Sequence, residues 1–194
     1  RRTIEIETSS KPAEFEDSSM NDPIFASFLQ AQSEQGMALA AQSDLLTLEP
    51  VREPHALVEG IPQAYVATFH CKGLVRERDG EVREADRFEV GIYFARDHLR
   101  TVRPEQVLTW LSPVNAWHPN IRWPWICGGK IVAGVELVDL LYQCVEIITY
   151  FNWASHDGLN ADACQWARNH QDRFPIDRRP LKRRTLNLDV TPEN

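Results

Sequence analysis

The stretch Phe88-Glu89-Val90-Gly91-Ile92-Tyr93-Phe94 places a large apolar residue at every second position. Side chains of a β-strand point alternately to the two faces of a sheet, so this period of two predicts a half-buried strand. Working outward, residues 64–70 and Val107 to Leu111, after Pro104, predict further strands. Asp79-Gly80 predicts a hairpin turn between residues 64–70 and residues 88–94. Three or four antiparallel strands joined in order form a meander, and we predict four.

Helical patterns lie on both sides of these strands. Asp22-Pro23 predicts a helix start, because a capping carboxylate precedes proline at the first helical position. This helix is predicted to extend to about Leu46, although Gln32 falls on its apolar stripe and Gly36 in its middle. A buried central helix is predicted by apolar residues on most of its sides: Leu137, Val138, Leu140, Leu141, Cys144, Val145, Ile147, Ile148 and Phe151. With a last helix over about 160–172, the elements predict an α+β fold.

Composition limits the classes of function. A chain of 194 residues suits one domain, and its formal net charge of −7 argues against general nucleic-acid binding, which needs a basic surface. No apolar run is long enough to span a bilayer, so we expect no membrane partner. The four cysteines include no Cys-x-x-Cys pair, which argues against a zinc clip or a redox dithiol. We therefore expect a cytoplasmic protein with reduced thiols.

The two ends of the chain differ from its middle. Residues 1–22 are polar and acidic, and we expect them to be a flexible segment outside the domain. The domain is predicted over residues 23–176, followed by a tail, residues 177–194, that is first basic and then polar. Such a tail is usually a solvated end, and the alternative is a docking segment for an acidic partner.

The segment between the last predicted strand and the central helix is rich in proline, tryptophan and glycine. Long ordered loops of this kind are usually functional. The segment carries the thiol of Cys127 and, seven residues earlier, the amide of Asn120. A thiol can accept an acyl group, and an amide donor can stabilise an oxyanion. The alternative is that Cys127 is a small apolar filler, as many free cysteines are.

His118-Pro119-Asn120 followed by Ile126-Cys127 resembles the His-Pro-Asn motif and active-site cysteine of ubiquitin-conjugating enzymes. The order of the predicted strands and central helix is similar to that family's, and Asp157-Gly158-Leu159-Asn160 resembles its Asp-Pro-Leu-Asn loop. The resemblance covers residues 22–176. It implies a ubiquitin-conjugating fold with an N-terminal helix, a four-stranded meander, a long active-site loop, a buried central helix and a C-terminal helix.

The resemblance also implies roles for single residues. Cys127 would carry a ubiquitin-like protein as a thioester and pass it to an amine. Asn120 would stabilise the oxyanion or hold the loop, while His118 and Pro119 would support the site structurally. Asp157 would orient the incoming amine and help to deprotonate it. The implied partners are a ubiquitin-like protein, an activating enzyme and a protein substrate, with no metal, nucleotide or organic cofactor.

The sequence departs from the family pattern in several places. Cys127 follows the histidine by nine residues, one fewer than is usual, and Trp123-Pro124-Trp125 replaces a more polar flap. No lysine or arginine lies between Lys11 and Arg52, so the first helix lacks the basic face that normally docks the activating enzyme. These departures suggest a divergent branch, such as the bacterial relatives, with an unusual activating enzyme and no separate ligase.

Other interpretations stay open at the level of sequence. One is a catalytically inactive binding module of the same fold, and another is a cysteine hydrolase that uses Cys127 and His156. The tryptophans at 117, 123 and 125 would form a partner surface or pack the loop onto the domain. His70-Cys71 is a weak metal-ligand pair, because no second cluster completes four ligands. We assign structural roles to the remaining cysteines, Cys71, Cys144 and Cys164.

Overall fold

The computed structural model of the protein describes residues 22–52 and 57–183. In chain order, these residues form α1 (Pro23–Ala41), β1 (Leu46–Val51), β2 (Ala64–Phe69), β3 (Gly73–Arg76), β4 (Val82–Ala85), β5 (Phe88–Tyr93), α2 (Pro104–Val107), β6 (Leu108–Ser112), β7 (Ile121–Arg122), β8 (Trp125–Ile126), α3 (Leu137–Ile148), α4 (Ala161–Arg168) and a 3₁₀-helix (Gln171–Arg173). The α+β class is confirmed. No helix within the described ranges is both long enough and apolar enough to cross a membrane.

The main sheet has four antiparallel strands, which is the number predicted, and their order is β1-β2-β5-β6. Its first strand was not predicted, because the pattern of α1 was expected to continue to Leu46. The helix instead ends at Ala41, and Leu46 begins β1 opposite Phe69 of β2. Leu46 and Leu48 are buried while Thr47 is exposed, so the period changes to two at this point.

The turn at Asp79-Gly80 lies in a hairpin that the main sheet does not contain. Gly80 N–H donates to the Glu77 carbonyl at 2.9 Å, and Glu81 N–H donates to Asp79 Oδ1 at 2.9 Å. The turn joins β3 to β4, which form a separate two-stranded sheet. The expectation that it joins two strands of the meander is therefore wrong: the connection between β2 and β5 contains a complete extra hairpin.

Helix α3 is the centre of the core, as its apolar pattern predicts. Leu137, Leu140, Leu141, Cys144 and Ile147 have no exposed surface. The helix ends at Ile148, so Phe151 lies beyond it and is 59% exposed, contrary to the prediction that it belongs to the apolar face. The predicted last helix also ends earlier than expected, at Arg168.

Two residues that looked unfavourable for α1 make its contact with α3. The Gln32 side chain is buried, and its Oε1 accepts a hydrogen bond of 2.7 Å from Leu137 N–H, at the start of α3. A helix leaves its first N–H groups without partners inside the helix, so this amide caps α3 from another element. A Cβ at Gly36 would lie 2.5 Å from Leu137 Cδ2, so glycine permits the close approach of the two helices.

The beginning of the predicted tail packs onto the domain. Asp177 is buried and forms an ion pair of 2.6 Å with Arg179, and Leu181 is also buried. Arg183 N–H donates to the Gln42 carbonyl, just after α1. The expectation of a solvated end is therefore wrong for Asp177 and Leu181, while the other residues up to Arg183 are exposed. The predicted flexible segment, apart from Asp22, and the rest of the tail lie outside the described residues.

Candidate active site around Cys127

The segment before Cys127 folds into a small hairpin. Ile121 pairs with Ile126 and Arg122 with Trp125, so that β7 and β8 form a two-stranded sheet. Trp110 N–H, from β6, donates to the Pro124 carbonyl at 2.8 Å and ties the hairpin to the edge of the main sheet. The end of β8 thereby gains a fixed position, and Cys127 is the next residue along the chain.

Cys127 differs from the other three cysteines in exposure. Its residue is exposed, whereas Cys71, Cys144 and Cys164 are buried. Burial raises the pKa of both Cys71 and Cys144 to about 12, because a thiolate loses its hydration in the core. Among the four thiols, Cys127 is therefore the one that a macromolecular partner can reach.

Asn120 holds the backbone of Cys127. Cys127 N–H donates to the Asn120 carbonyl at 2.8 Å, and Asn120 Nδ2 donates to the Cys127 carbonyl at 3.1 Å. At the other end of the amide, Oδ1 accepts a hydrogen bond of 2.7 Å from Ala154 N–H. The side chain is 7% exposed. One amide thus joins the cysteine to the loop that follows α3.

His118 lies beneath this arrangement and is buried. Its Nδ1 accepts a hydrogen bond of 2.9 Å from Asn120 N–H, which assigns the proton of the neutral ring to Nε2. The ring packs edge-on against Tyr150, with centroids 4.2 Å apart, and the Tyr150 hydroxyl donates to the Trp117 carbonyl. Burial lowers the pKa of His118 to about 3, so the ring is neutral near pH 7. This geometry suits a structural support and does not suit an acid or base.

Pro119 connects the site to the loop before α4. Its carbonyl accepts a hydrogen bond of 3.0 Å from Asn160 N–H, and the Asn160 side chain caps α4 by accepting from Ala163 N–H at 3.1 Å. A Cβ at Gly158 would lie 2.6 Å from the Pro119 carbonyl oxygen, so only glycine permits this approach. The loop that resembles Asp-Pro-Leu-Asn is thus packed directly on the His-Pro-Asn segment.

Asp157 lies in the same loop, and the residue is exposed. Its neighbour Leu159 lines a cavity that also contains Cys127, so the loop reaches the cysteine. Within the described part of the chain, the Asp157 carboxylate forms no hydrogen bond or ion pair, so no such contact fixes it against Cys127. The structure brings Cys127, Asn120, His118 and Pro119 together through contacts, and Asp157 only through its loop.

The three tryptophans have two different environments. Trp117 is 7% exposed and packs in a second, smaller cluster of buried residues, with the Arg76 guanidinium 4.7 Å from its ring centroid. Trp123 and Trp125 are 55% and 52% exposed. Packing therefore accounts for Trp117, while the other two tryptophans lie at the surface, and Trp125 lines a cavity that also contains Cys127.

The geometry gives no support to a histidine base. His156 Nδ1 lies 2.7 Å from Ser155 Oγ, and no histidine nitrogen of the described residues forms a hydrogen bond to the Cys127 sulfur. His70 Nε2 lies 3.1 Å from Thr47 Oγ1, and its neighbour Cys71 is buried. The described ranges contain no group of three or more His, Cys, Asp or Glu that could hold a metal ion.

One residue of the site was not predicted from the sequence. Glu105, in α2, lines the cavity that contains Cys127 and Leu159. It is separated from Cys127 by all of β6 and the hairpin, so no local spacing relates the two residues. Glu105 follows Pro104, and the sequence pattern there predicted only the strand that comes after it.

Comparison of the chain with protein-family models finds no matching family, and comparison with curated proteins finds no match.

Proposed function

We propose that the protein is a ubiquitin-like protein conjugating enzyme in which Cys127 carries the modifier as a thioester. The observation that carries this proposal is the pairing of an exposed Cys127 thiol with a backbone held on both sides by Asn120. A carrier thiol must reach two different macromolecules in turn, so its sulfur has to be open while its position is constant.

The order of elements supports a ubiquitin-conjugating fold for this function. An N-terminal helix is followed by a sheet in the order β1-β2-β5-β6. The β7–β8 hairpin and Cys127 come next, then the buried α3 and finally α4. This is the order that the resemblance implies, with the β3–β4 hairpin as an addition. The fold itself is part of the proposal.

The proposed reaction has two steps. In the first, the Cys127 thiol loses its proton to solvent and its sulfur attacks the thioester carbonyl of the modifier on the activating enzyme. A new C–S bond forms, the old one breaks, and the thiol of the activating enzyme leaves as a thiolate. In the second, an acceptor nitrogen attacks the carbonyl and forms an amide bond. Starting from an ammonium, two protons leave the nitrogen, and Cys127 leaves as a thiolate.

The hydrogen bonds of Asn120 favour one of its two implied roles. Both ends of its amide are already used, by the Cys127 carbonyl and by Ala154 N–H. Nδ2 has a second hydrogen, but turning it towards an oxyanion would disturb the bond to Cys127. We therefore assign Asn120 to holding the loop that positions the thioester.

A reductant-sensitive adduct tests the proposal. The protein is mixed with ATP and with the activating enzyme and ubiquitin-like protein encoded nearest to its gene, and the products are separated with and without thiol reductant. We expect a covalent adduct that reductant removes. Cys127→Ala should abolish the adduct, and Cys127→Ser should convert it into an oxygen ester that survives reductant.

Cys164→Ala is the matched control, because Cys164 is a buried thiol near the same loop. This variant should still form the adduct, provided that circular dichroism shows it folded. An adduct of unchanged yield and reductant sensitivity in Cys127→Ala would contradict the proposal. An inactive binding module would instead bind the ubiquitin-like protein without any covalent product.

A further inference from the structure

The cavity beside Cys127 has a volume of about 220 Å³ and is lined by residues of four chemical kinds. Its lining residues include Cys127, Glu105, Trp125 and Leu159, which carry a thiol, a carboxylate, an indole and an apolar side chain. Leu159 and Trp125 are 40% and 52% exposed, so the cavity is open to solvent on this side.

Trp125 and Cys127, at the end of the hairpin, both face the cavity. Trp125 is exposed, Ile126 is buried in the core, and Cys127 is exposed. Trp125 and Cys127 lie on either side of Ile126 in the chain, and both line the same cavity. The buried Ile126 between them anchors both positions to the domain.

The backbone of Glu105 is held by its neighbours, and its carboxylate has no ion-pair partner among the described residues. It lies in α2, whose last residue, Val107, is buried, and the chain continues directly into the buried Leu108 of β6. The Glu105 residue itself is exposed, and its carboxylate forms no ion pair within residues 22–52 and 57–183. A carboxylate without a cation at the rim of the cavity is available to a positively charged ligand.

We infer that Glu105 and Trp125 are specificity-determining residues that recognise a protonated primary amine on an aliphatic stem beside Cys127. This inference rests on the proposed function. A carboxylate attracts an ammonium group, and the face of an indole attracts a cation through its quadrupole. The aliphatic stem packs against Leu159. The acceptor is thereby held close to the thioester before it loses a proton to solvent and attacks.

The expected contribution of each residue is modest. Losing an exposed ion pair typically weakens binding by about 1.4- to fivefold, and losing an exposed cation–π contact has an effect of similar size. Both act on the capture of the cation, so they should change KM for a charged amine rather than the rate at saturation. The ion-pair part should weaken at high salt, because salt screens exposed charges.

A small-molecule assay tests the inference without the natural partners. The protein is acylated with the 2-mercaptoethanesulfonate thioester of acetyl-Gly-Gly, and acylation of Cys127 is measured by mass spectrometry. The acyl group is then discharged to one of two nucleophiles at pH 7. Nα-acetyl-lysine amide carries an ammonium on an aliphatic stem, and O-methylhydroxylamine is uncharged.

In this assay, Glu105→Gln should raise KM for the lysine derivative about 1.4- to fivefold at low salt. Its discharge to O-methylhydroxylamine should be unchanged, and the difference from the wild type should disappear in about 1 M salt. Glu105→Asp should recover part of the loss. Trp125→Leu, which keeps an apolar side chain but removes the π face, should give a similar loss that salt changes less.

Glu49→Gln is the matched control, because it removes the same charge from an exposed position on β1, at the opposite edge of the sheet from β6. It should leave both reactions unchanged. Equal effects of Glu105→Gln on both nucleophiles, or none on either, would overturn the inference while leaving the proposed function intact. If Cys127 is not acylated at all, the proposed function fails at its first step, and the inference fails with it.

Discussion

The inner and outer sides of Cys127 are built in opposite ways. On the inner side, His118 and Asn120 are buried, and each forms hydrogen bonds with neighbouring backbone groups. On the outer side, Trp125 and Glu105 are exposed, and the Glu105 carboxylate is unpaired among the described residues. The inner residues are expected to determine where the sulfur lies, and the outer residues to determine what reaches it.

This contrast shows how Cys127 can keep a constant position and still be accessible to a partner. A buried polar group is costly to leave unpaired, so the inner hydrogen bonds resist rearrangement. Exposed side chains contribute little to stability and can be adapted to a partner. Substitutions on the inner side should therefore change stability and activity together, and those on the outer side should change activity alone.

Asn120→Ala should have the largest effect on stability. It leaves Ala154 N–H and the Cys127 carbonyl without their partners, and we expect a loss of about 2–4 kcal/mol in the free energy of unfolding. Adduct formation on Cys127 should fall as well, because the cysteine backbone loses a constraint. Chemical denaturation and the adduct assay measure the two effects.

Asn120→Asp is the informative control. Its carboxylate can still accept from Ala154 N–H but cannot donate to the Cys127 carbonyl. A smaller loss of stability than in the alanine variant would assign part of the effect to each hydrogen bond. A stability like that of the wild type in Asn120→Ala would contradict the view that the inner side holds the cysteine.

The neutral His118 ring should make stability depend on pH. Its pKa is lowered to about 3 in the folded protein from an ordinary value of 6.5, so between these values the unfolded chain binds a proton that the folded chain does not. Stability therefore decreases as pH falls through this range. The expected loss from this residue between pH 7 and pH 5 is about 1–2 kcal/mol.

His118→Asn removes the titration but can still accept a hydrogen bond from Asn120 N–H. Denaturation curves at pH 7 and pH 5 should therefore differ less in this variant than in the wild type, whatever its absolute stability. His156→Asn, the same substitution at an exposed position, is the matched control. Asp177 does not interfere, because its pKa is lowered to about 2 and its contribution to stability is lost only in stronger acid. An unchanged pH dependence in His118→Asn would mean that the buried ring does not control it.

Asp157→Asn should have the smallest effect on stability. The residue is exposed and its carboxylate has no partner among the described residues, so the free energy of unfolding should change by less than about 0.5 kcal/mol. If Asp157 helps to deprotonate the acceptor, discharge of acylated Cys127 to a lysine derivative should fall about a hundredfold. Unchanged discharge would remove Asp157 from the predicted site.

Sequence patterns predicted most of the fold but placed some boundaries wrongly. The alternation in β5 and the apolar pattern of α3 were reliable, because each depends on residues within a few positions of one another. The pattern of α1 did not reveal that the helix ends at Ala41, since the apolar residues of β1 continue it in sequence. The β3–β4 hairpin was expected to join the main sheet, because a turn signal does not specify which strands pair.

The candidate site was predicted in the same partial way. The segment containing His118 and Cys127 was singled out by its residues, and the structure gives Cys127 an exposure that the other cysteines lack. Glu105 was missed, and Asp157 was predicted from the resemblance alone. Their relation to the sulfur depends on loops from distant parts of the chain, which no local spacing describes.

The sequence by itself predicted β2, β5, β6 and α3, the capping of α1 by Asp22 and the cysteine that stands apart from the other three. Tertiary structure alone decided the long-range contacts. Gln32 caps Leu137 from 105 residues away, and Glu105 and Leu159 meet at Cys127. The physical reason is that local patterns reflect the geometry of one helix or strand, whereas these contacts exist only after the sheet and α3 have packed.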